Sequence, residues 1–329
     1  MVELDVISHQ LMIIVGIIMY ILGFFGNILN ICVFTKWSFS RKTPNENNAN
    51  NRTGNSSLYL LATSIANFIL ILYPLFVRIY VDGYQNLVTP TSAVLLCKIR
   101  YYVLQTSLVI SLACICLATF DRYLITARSV RLRQLSTTRR STQIIILSIT
   151  IFSALHSIPM ALYYDKSSTG DCSIVSLTYS NYYLYFVIVC LYGIFPVCFL
   201  SIFGTLTYRQ LKMLKHTNQN GSLNIDKQLS RMLLFQCIAL VFSYIPYCAQ
   251  NIYFSKFVDK KVAPTGFNLL FRILTIILFY VNPVMSFYIY YISTPNFRRQ
   301  VKKIILYLCR NRQRIHNRVH DLTTTIGVH

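Results

Sequence analysis

Seven long apolar runs, separated by short polar segments, set the pattern of this chain. They extend over roughly Leu11–Thr35, Leu58–Val81, Cys97–Thr126, Thr142–Tyr164, Tyr182–Tyr208, Leu229–Phe254 and Phe267–Ile292. A helix needs about 20 mostly apolar residues to cross a ~30 Å hydrocarbon core, and each run is long enough. Lipid offers the backbone no hydrogen bonds, so the runs are predicted to be helices that satisfy their own N–H and C=O groups. The third and seventh carry polar or charged residues deep in the span, which turns those faces toward a bundle interior. A last pattern follows Pro295. Phe297, Val301, Ile304, Ile305 and Leu308 recur at helical spacing, with Arg298, Arg299, Lys302 and Lys303 on the other face. That predicts an amphipathic helix lying on an anionic membrane leaflet. The expected architecture is all-α. A short N-terminal segment (1–10) precedes a seven-transmembrane helix bundle (11–292), a short amphipathic cytoplasmic helix (293–309) and a tail (310–329).

Composition fits a chain whose main solvent is lipid: 54% of the 329 residues are hydrophobic and 12% charged, against about 25% charged in a soluble domain. The net charge of +21 first suggests nucleic acid, but the basic residues sit between the apolar runs and not in one patch. With the N-terminus outside, most of the 31 Lys and Arg residues fall in inner segments, among them Lys36, Arg41, Arg52, Arg131, Arg133, Arg139, Arg140, Lys212, Lys215 and those beyond Ser293. This bias predicts a multi-pass plasma-membrane protein with an extracellular N-terminus and a cytoplasmic C-terminus. Met1–Gln10 holds Glu3 and Asp5 but no Lys or Arg, unlike a signal-peptide n-region, so the first helix is expected to direct insertion. The orientation puts the glycosylation patterns at Asn51, Asn55 and Asn220 on the inner side, where they read as chance matches. The Asn-rich segment Lys36–Ser57 is expected to be disordered.

Asp121-Arg122-Tyr123 ends the third run. Adjacent opposite charges at a membrane boundary satisfy one another and are released by a competing contact; a simple snorkelling arginine is the plainer alternative. Cys97 lies 25 residues before Arg122, about one tilted crossing at 1.5 Å per residue, so it sits at the outer end of the same helix. Cys172 falls in the second outer loop, and these two cysteines on the oxidising side are well placed to pair. Cys309, at the end of the amphipathic segment, is either a palmitoylation site or a free cytosolic thiol.

With these features in this order, the chain resembles the rhodopsin-like (class A) G-protein-coupled receptors over nearly its whole length. The resemblance rests on Asn27, Asp121-Arg122-Tyr123, Cys97 with Cys172, Pro196 in the fifth helix, Pro246 in the sixth and Asn282-Pro283 in the seventh. It implies a two-state bundle in which agonist favours an outward swing of the inner end of the sixth helix, opening a cleft at Arg122 for a heterotrimeric G protein. It also implies an inactive-state lock of Arg122 with Asp121 and Asp226, for which a solvated loop carboxylate at Asp226 is the alternative. The chain departs from the family at several switch positions. Asn67 replaces the usual aspartate, which leaves Ser111 as an oxygen ligand but makes sodium regulation doubtful. Tyr244 stands for a tryptophan and Ser286 for a tyrosine, and the fourth helix lacks the family's tryptophan.

Outer-half residues suited to line a ligand pocket are Arg78, Tyr101, Tyr102, Gln105, Tyr247, Gln250, Asn251 and Arg272. Leu104 stands where amine receptors carry an aspartate, and Ile276 where opsins hold retinal, which argues against both classes. The arginines suggest an anion or a polar peptide end. Arg78 is expected to snorkel and Arg272 to face the pocket, giving a neuropeptide-like ligand. No metal cluster, nucleophile triad, phosphate loop or cofactor motif is visible, so an enzyme has no support. Two other readings stay open: a receptor-like protein that binds ligand without activating a G protein, and a seven-helix transporter or channel.

Overall fold

The computed structural model describes residues 2–39, 49–84, 90–127, 129–166, 172–214, 221–257 and 266–307. Seven helices among them are long and apolar enough to cross a membrane: Glu3–Phe39, Asn55–Gly83, Val94–Thr126, Arg139–Tyr163, Leu177–Gln210, Ser230–Phe257 and Phe267–Ser293. They run alternately up and down, so Cys97 and Arg122 mark the two ends of the bundle. An eighth helix over 295–307 follows the seventh span at the Arg122 end. The seven-helix bundle with a terminal amphipathic helix is therefore as the hydrophobic pattern predicted.

The outward faces are apolar in a way water would not permit. Ile144, Leu147, Ile151, Leu155, Ile158 and Leu162 form one helical stripe on the fourth span, and each is more than 40% exposed. The bundle interior holds the polar residues: Asn27, Asn67, Ser111, Asp121, Arg122, Gln236 and Asn282 are all buried. This inverted distribution identifies a multi-pass membrane protein. The third span is the spine, packed against the second, fourth, fifth and sixth. The first span leans on the second and seventh. Gly26 allows a close approach of the first and seventh spans, since a Cβ there would lie 3.0 Å from Phe287 Cβ.

Several helices reach past their apolar runs. The first begins at Val2, so residues 2–10 form its opening turns. Their polar groups find partners that a sequence does not reveal: His9 Nδ1 meets the Asp82 carbonyl at 2.5 Å, and Asp5 accepts the Gly266 N–H at 2.6 Å. The expectation of disorder across Lys36–Ser57 is corrected at both ends. The first span stays helical to Phe39, and the next helix starts at Ala49. Asn55 and Ser56 are buried, with the Asn55 amide donating to the Thr137 carbonyl, so the Asn55 glycosylation pattern is structural.

Prolines sit in the spans within different kinds of turn. Pro246 and Pro283 lie inside continuous helix. Pro74 sits in a π-helical stretch, Ile71–Leu75. In the fifth span Tyr183–Ile194 is π-helical, just before Pro196, and the Phe195 N–H bonds the Cys190 carbonyl. Widening the turn accommodates a residue without an N–H. The carbonyl of Ile188 in this stretch accepts the Cys248 thiol of the sixth span at 3.2 Å. Between the fourth and fifth spans, β1 (Tyr164–Lys166) and β2 (Cys172–Ile174) form an antiparallel hairpin, Tyr164 opposite Ile174.

Candidate functional site: two polar ends joined by a buried network

At the Arg122 end, the last turns of the third span place Asp121 and Arg122 in the bundle interior, 3% and 0% exposed. The Asp121 carboxylate accepts hydrogen bonds from Ser56 of the second span and from Ser136, the latter at 3.3 Å. A buried carboxylate needs such donors, so the serines fix its position. One turn on, Thr126 donates to Gln210 of the fifth span at 2.9 Å. Tyr123 packs edge-on to Phe203, ring centroids 5.4 Å apart. The third span is thereby tied to the second and fifth on both sides of Arg122. Asp226 lies on helical backbone, but its side chain falls outside the described residues, as does Cys309 altogether.

The middle of the bundle is a belt of neutral amides and hydroxyls. Asn27 donates to the Pro283 carbonyl at 3.0 Å and Asn30 to Ser286 at 3.3 Å, holding the first span to the seventh at its proline. Gln236 of the sixth span donates to Asn282 of the seventh at 2.7 Å, with both residues buried. Tyr244, also buried, packs on Phe279 of the seventh span at 5.3 Å. Ser286 thus takes up the first-span contact at the position where a tyrosine was expected. Tyr290, one turn later, supplies a buried aromatic ring against Phe34 and Phe297. Tyr288 reaches the Leu22 carbonyl on a more exposed face, consistent with its different helical position.

Ser111 donates to Asn67 Oδ1 at 2.7 Å. These two oxygens therefore satisfy each other, and among the described residues no carboxylate bonds to either. A sodium ion seeks several oxygen ligands and a compensating charge, which this pair does not offer. The residues do not fit a bound sodium. Basal nucleotide exchange is expected to be equal in sodium and potassium chloride at matched ionic strength. Asn67→Asp is expected to introduce a sodium dependence, and a sodium effect on the unaltered chain would contradict this.

At the Cys97 end, the Cys97–Cys172 disulfide joins the third span to β2, with Cα atoms 6.0 Å apart. Pinned there, the hairpin stacks Tyr164 on Tyr101 at a centroid distance of 3.9 Å. Arg78 contradicts the snorkelling expectation. It is 7% exposed and forms an ion pair with Asp82 at 2.6 Å, four residues on along the same helix. That spacing brings the carboxylate onto the guanidinium, so Arg78 has no need to reach the interface. Arg272, Arg100 and His9 all act electrostatically on Asp82, and Tyr101 and Tyr247 lie within range of Arg78.

The proposed pocket residues therefore divide. Tyr101 and Arg272 act electrostatically on Asp82, the ion-pair partner of Arg78, and Tyr247 acts on Arg78. Tyr102 is half-buried nearby in sequence. Gln105 is engaged within the bundle: Tyr192 donates to its carbonyl at 2.7 Å, and its amide meets His156 at 3.3 Å. His156, bonded also to Tyr182 at 3.0 Å, is a satisfied bundle residue. Gln250 is held by Thr275 at 3.4 Å, and Asn251 donates back to the Tyr247 carbonyl at 2.8 Å. Asp82, Arg100, Ser56, Asn30 and Gln236 also belong to these polar clusters, though no motif marks them. A polar residue inside an apolar span was the available signal for each of the last two.

Seven membrane-crossing helices, a disulfide-pinned hairpin over one end and a buried Asp–Arg pair at the other define a seven-helix receptor. Residues 51–290 match the family of 7 transmembrane receptors (rhodopsin family), and the chain belongs to that family. The apelin receptor of Xenopus tropicalis is 27% identical over 175 residues, which is 53% of this chain and 44% of that receptor. Galanin receptor 2a of Danio rerio is 22% identical over 313 residues, 92% of this chain and 79% of that receptor. The chain thus matches somewhat under half the length of the apelin receptor. The family is one of receptors and not of enzymes.

Proposed function

We propose that this chain is a G-protein-coupled receptor that converts binding of an extracellular peptide at the Cys97 end into activation of a heterotrimeric G protein at the Arg122 end. The single observation that carries the reading is Arg122, fully buried next to a carboxylate that Ser56 and Ser136 hold in place. Such a charge needs an interior environment built for it, and it becomes a contact for a partner only when the bundle opens. The excess of basic residues at that end supports a cytoplasmic orientation. Exposed Arg298, Arg299, Lys302 and Lys303 on the terminal helix, opposite buried Phe297 and Val301, suit an anionic leaflet.

Peptide is the favoured ligand class because relatives along the chain are peptide receptors, named for apelin and galanin. The ring of arginines and tyrosines offers hydrogen-bond donors and aromatic faces but no unpaired carboxylate for an amine, among the described residues. A peptide-library screen on cells expressing the chain, read as G-protein activation, tests the proposal. At least one peptide is expected to activate, and Arg272→Ala is expected to lower its potency at least tenfold with surface expression intact. Unchanged potency would remove Arg272 from the site.

A further inference from the structure

The opening turns of the third span carry an arginine that the bundle buries with no ion pair among the described residues. Arg100 is 4% exposed, with its guanidinium 4.6 Å from the centre of the Tyr101 ring. Two ion pairs occur near this end among the described residues, Arg78–Asp82 and Lys98–Asp165, and neither includes Arg100. The carboxylate that does act on Arg100 is Asp82, already bonded to Arg78 and influenced by Arg272 as well. One carboxylate, ion-paired with Arg78, thus also feels the charges of two further guanidinium groups. The phenols around them do not make up the difference. Burial pushes the Tyr164 hydroxyl, in the hairpin outside the spans, well above the usual phenol range, so it stays neutral. A cation–π contact with Tyr101 orients Arg100, and no carboxylate among the described residues forms an ion pair with it.

We propose that Arg100, flanked by the Arg78–Asp82 pair, receives a carboxylate of the peptide ligand. The inference rests on the peptide-receptor reading above and specifies the chemistry at that site. Guanidinium and carboxylate match as a planar two-bond fork, a geometry that a lysine does not reproduce. Asp82 keeps Arg78 in place and prevents the cluster from repelling itself apart before ligand arrives. Two sources of the carboxylate share this chemistry: a free C-terminus and an Asp or Glu side chain.

The test uses the purified full chain in lipid nanodiscs and three pools of random hexapeptides, with retained peptides identified by mass spectrometry. One pool has free C-terminal acids and no Asp or Glu. A second has C-terminal amides and one Asp or Glu per peptide. A third has C-terminal amides and no acid. Enrichment of the first or second pool at least tenfold over the third supports the proposal, and which of the two is enriched names the source. Arg100→Gln is expected to abolish that enrichment, and Arg100→Lys to retain only part of it, with thermal unfolding of each variant confirming the fold. The contrast between pools on the unaltered chain stands even where Arg100→Gln fails to fold. Equal retention of all three pools, or undiminished enrichment by folded Arg100→Gln, overturns the carboxylate site and leaves the peptide reading intact. Retention of no peptide from any pool overturns both.

Discussion

Cys97→Ser is expected to lower the stability of the receptor by about 2–4 kcal/mol and to cut the yield of folded protein several-fold. The disulfide closes a loop spanning 75 residues of sequence, so its loss frees the hairpin from the third span. The magnitude sits toward the low side of what that length alone would give, because the fourth span already restricts the loop by crossing the membrane. The hairpin also carries Tyr164 onto Tyr101, so ligand binding should weaken along with stability. Cys172→Ser is expected to match Cys97→Ser, and the double variant to be no worse than either, since all three remove one bond. Thermal unfolding of detergent-purified protein checks the set. Additive losses from the two single variants would show that the cysteines act separately.

Gln236→Leu is expected to raise basal G-protein turnover by roughly five- to one-hundred-fold. The substitution removes the buried Gln236–Asn282 bond between the sixth and seventh spans and leaves the Asn282 oxygen without that donor. Losing a buried hydrogen bond in this way costs about 1–3 kcal/mol. On the two-state account the sixth span moves in the active state, so the cost falls mainly on the resting state. Each 1.4 kcal/mol of selective destabilisation is about a tenfold change in the resting-to-active ratio. Gln236→Met keeps much of the length but has no donor, and should also raise basal turnover. Constitutive exchange measured in membranes with matched receptor levels decides the matter, and an unchanged basal rate in both variants would remove the bond from the switch.

The bundle was readable from sequence because lipid imposes a length and polarity rule on every span. The disulfide was readable because only Cys97 and Cys172 fall at the Cys97 end. Interior polar contacts were less so. Asn27, Asn67 and Asn282 stand out in the sequence as polar residues within apolar spans, yet their partners lie up to 256 residues away, on helices whose rotation no local pattern fixes. Arg78 shows the limit clearly. Near a span end an arginine reads as a snorkelling residue, whereas the structure buries Arg78 and pairs it with Asp82, four residues on. The same holds for Ser56, which lay in a segment that composition alone marks as disordered but which folds because Asp121 needs its hydroxyl.

The departures from the family pattern also take a physical form. Tyr244 keeps an aromatic contact with Phe279 where a tryptophan was usual. Ser286 replaces a ring with a small hydroxyl that bonds Asn30, and Tyr290 fills the adjoining space one turn on. Asn67 exchanges a charge for a neutral partner of Ser111. Among the described residues, the middle of the bundle is thus joined by neutral hydrogen bonds, first span to seventh, second to third and sixth to seventh.

The central claim is that a signal received at the Cys97 end is delivered at Arg122 to a G protein. The most direct measurement is GTP-for-GDP exchange on a panel of purified heterotrimeric G proteins, using the chain in nanodiscs with an activating peptide from the screen. At least one G protein is expected to exchange faster with peptide present, and Arg122→Ala is expected to abolish that acceleration while peptide binding survives. Peptide binding with no acceleration of any G protein, or acceleration that Arg122→Ala leaves unchanged, would contradict the account.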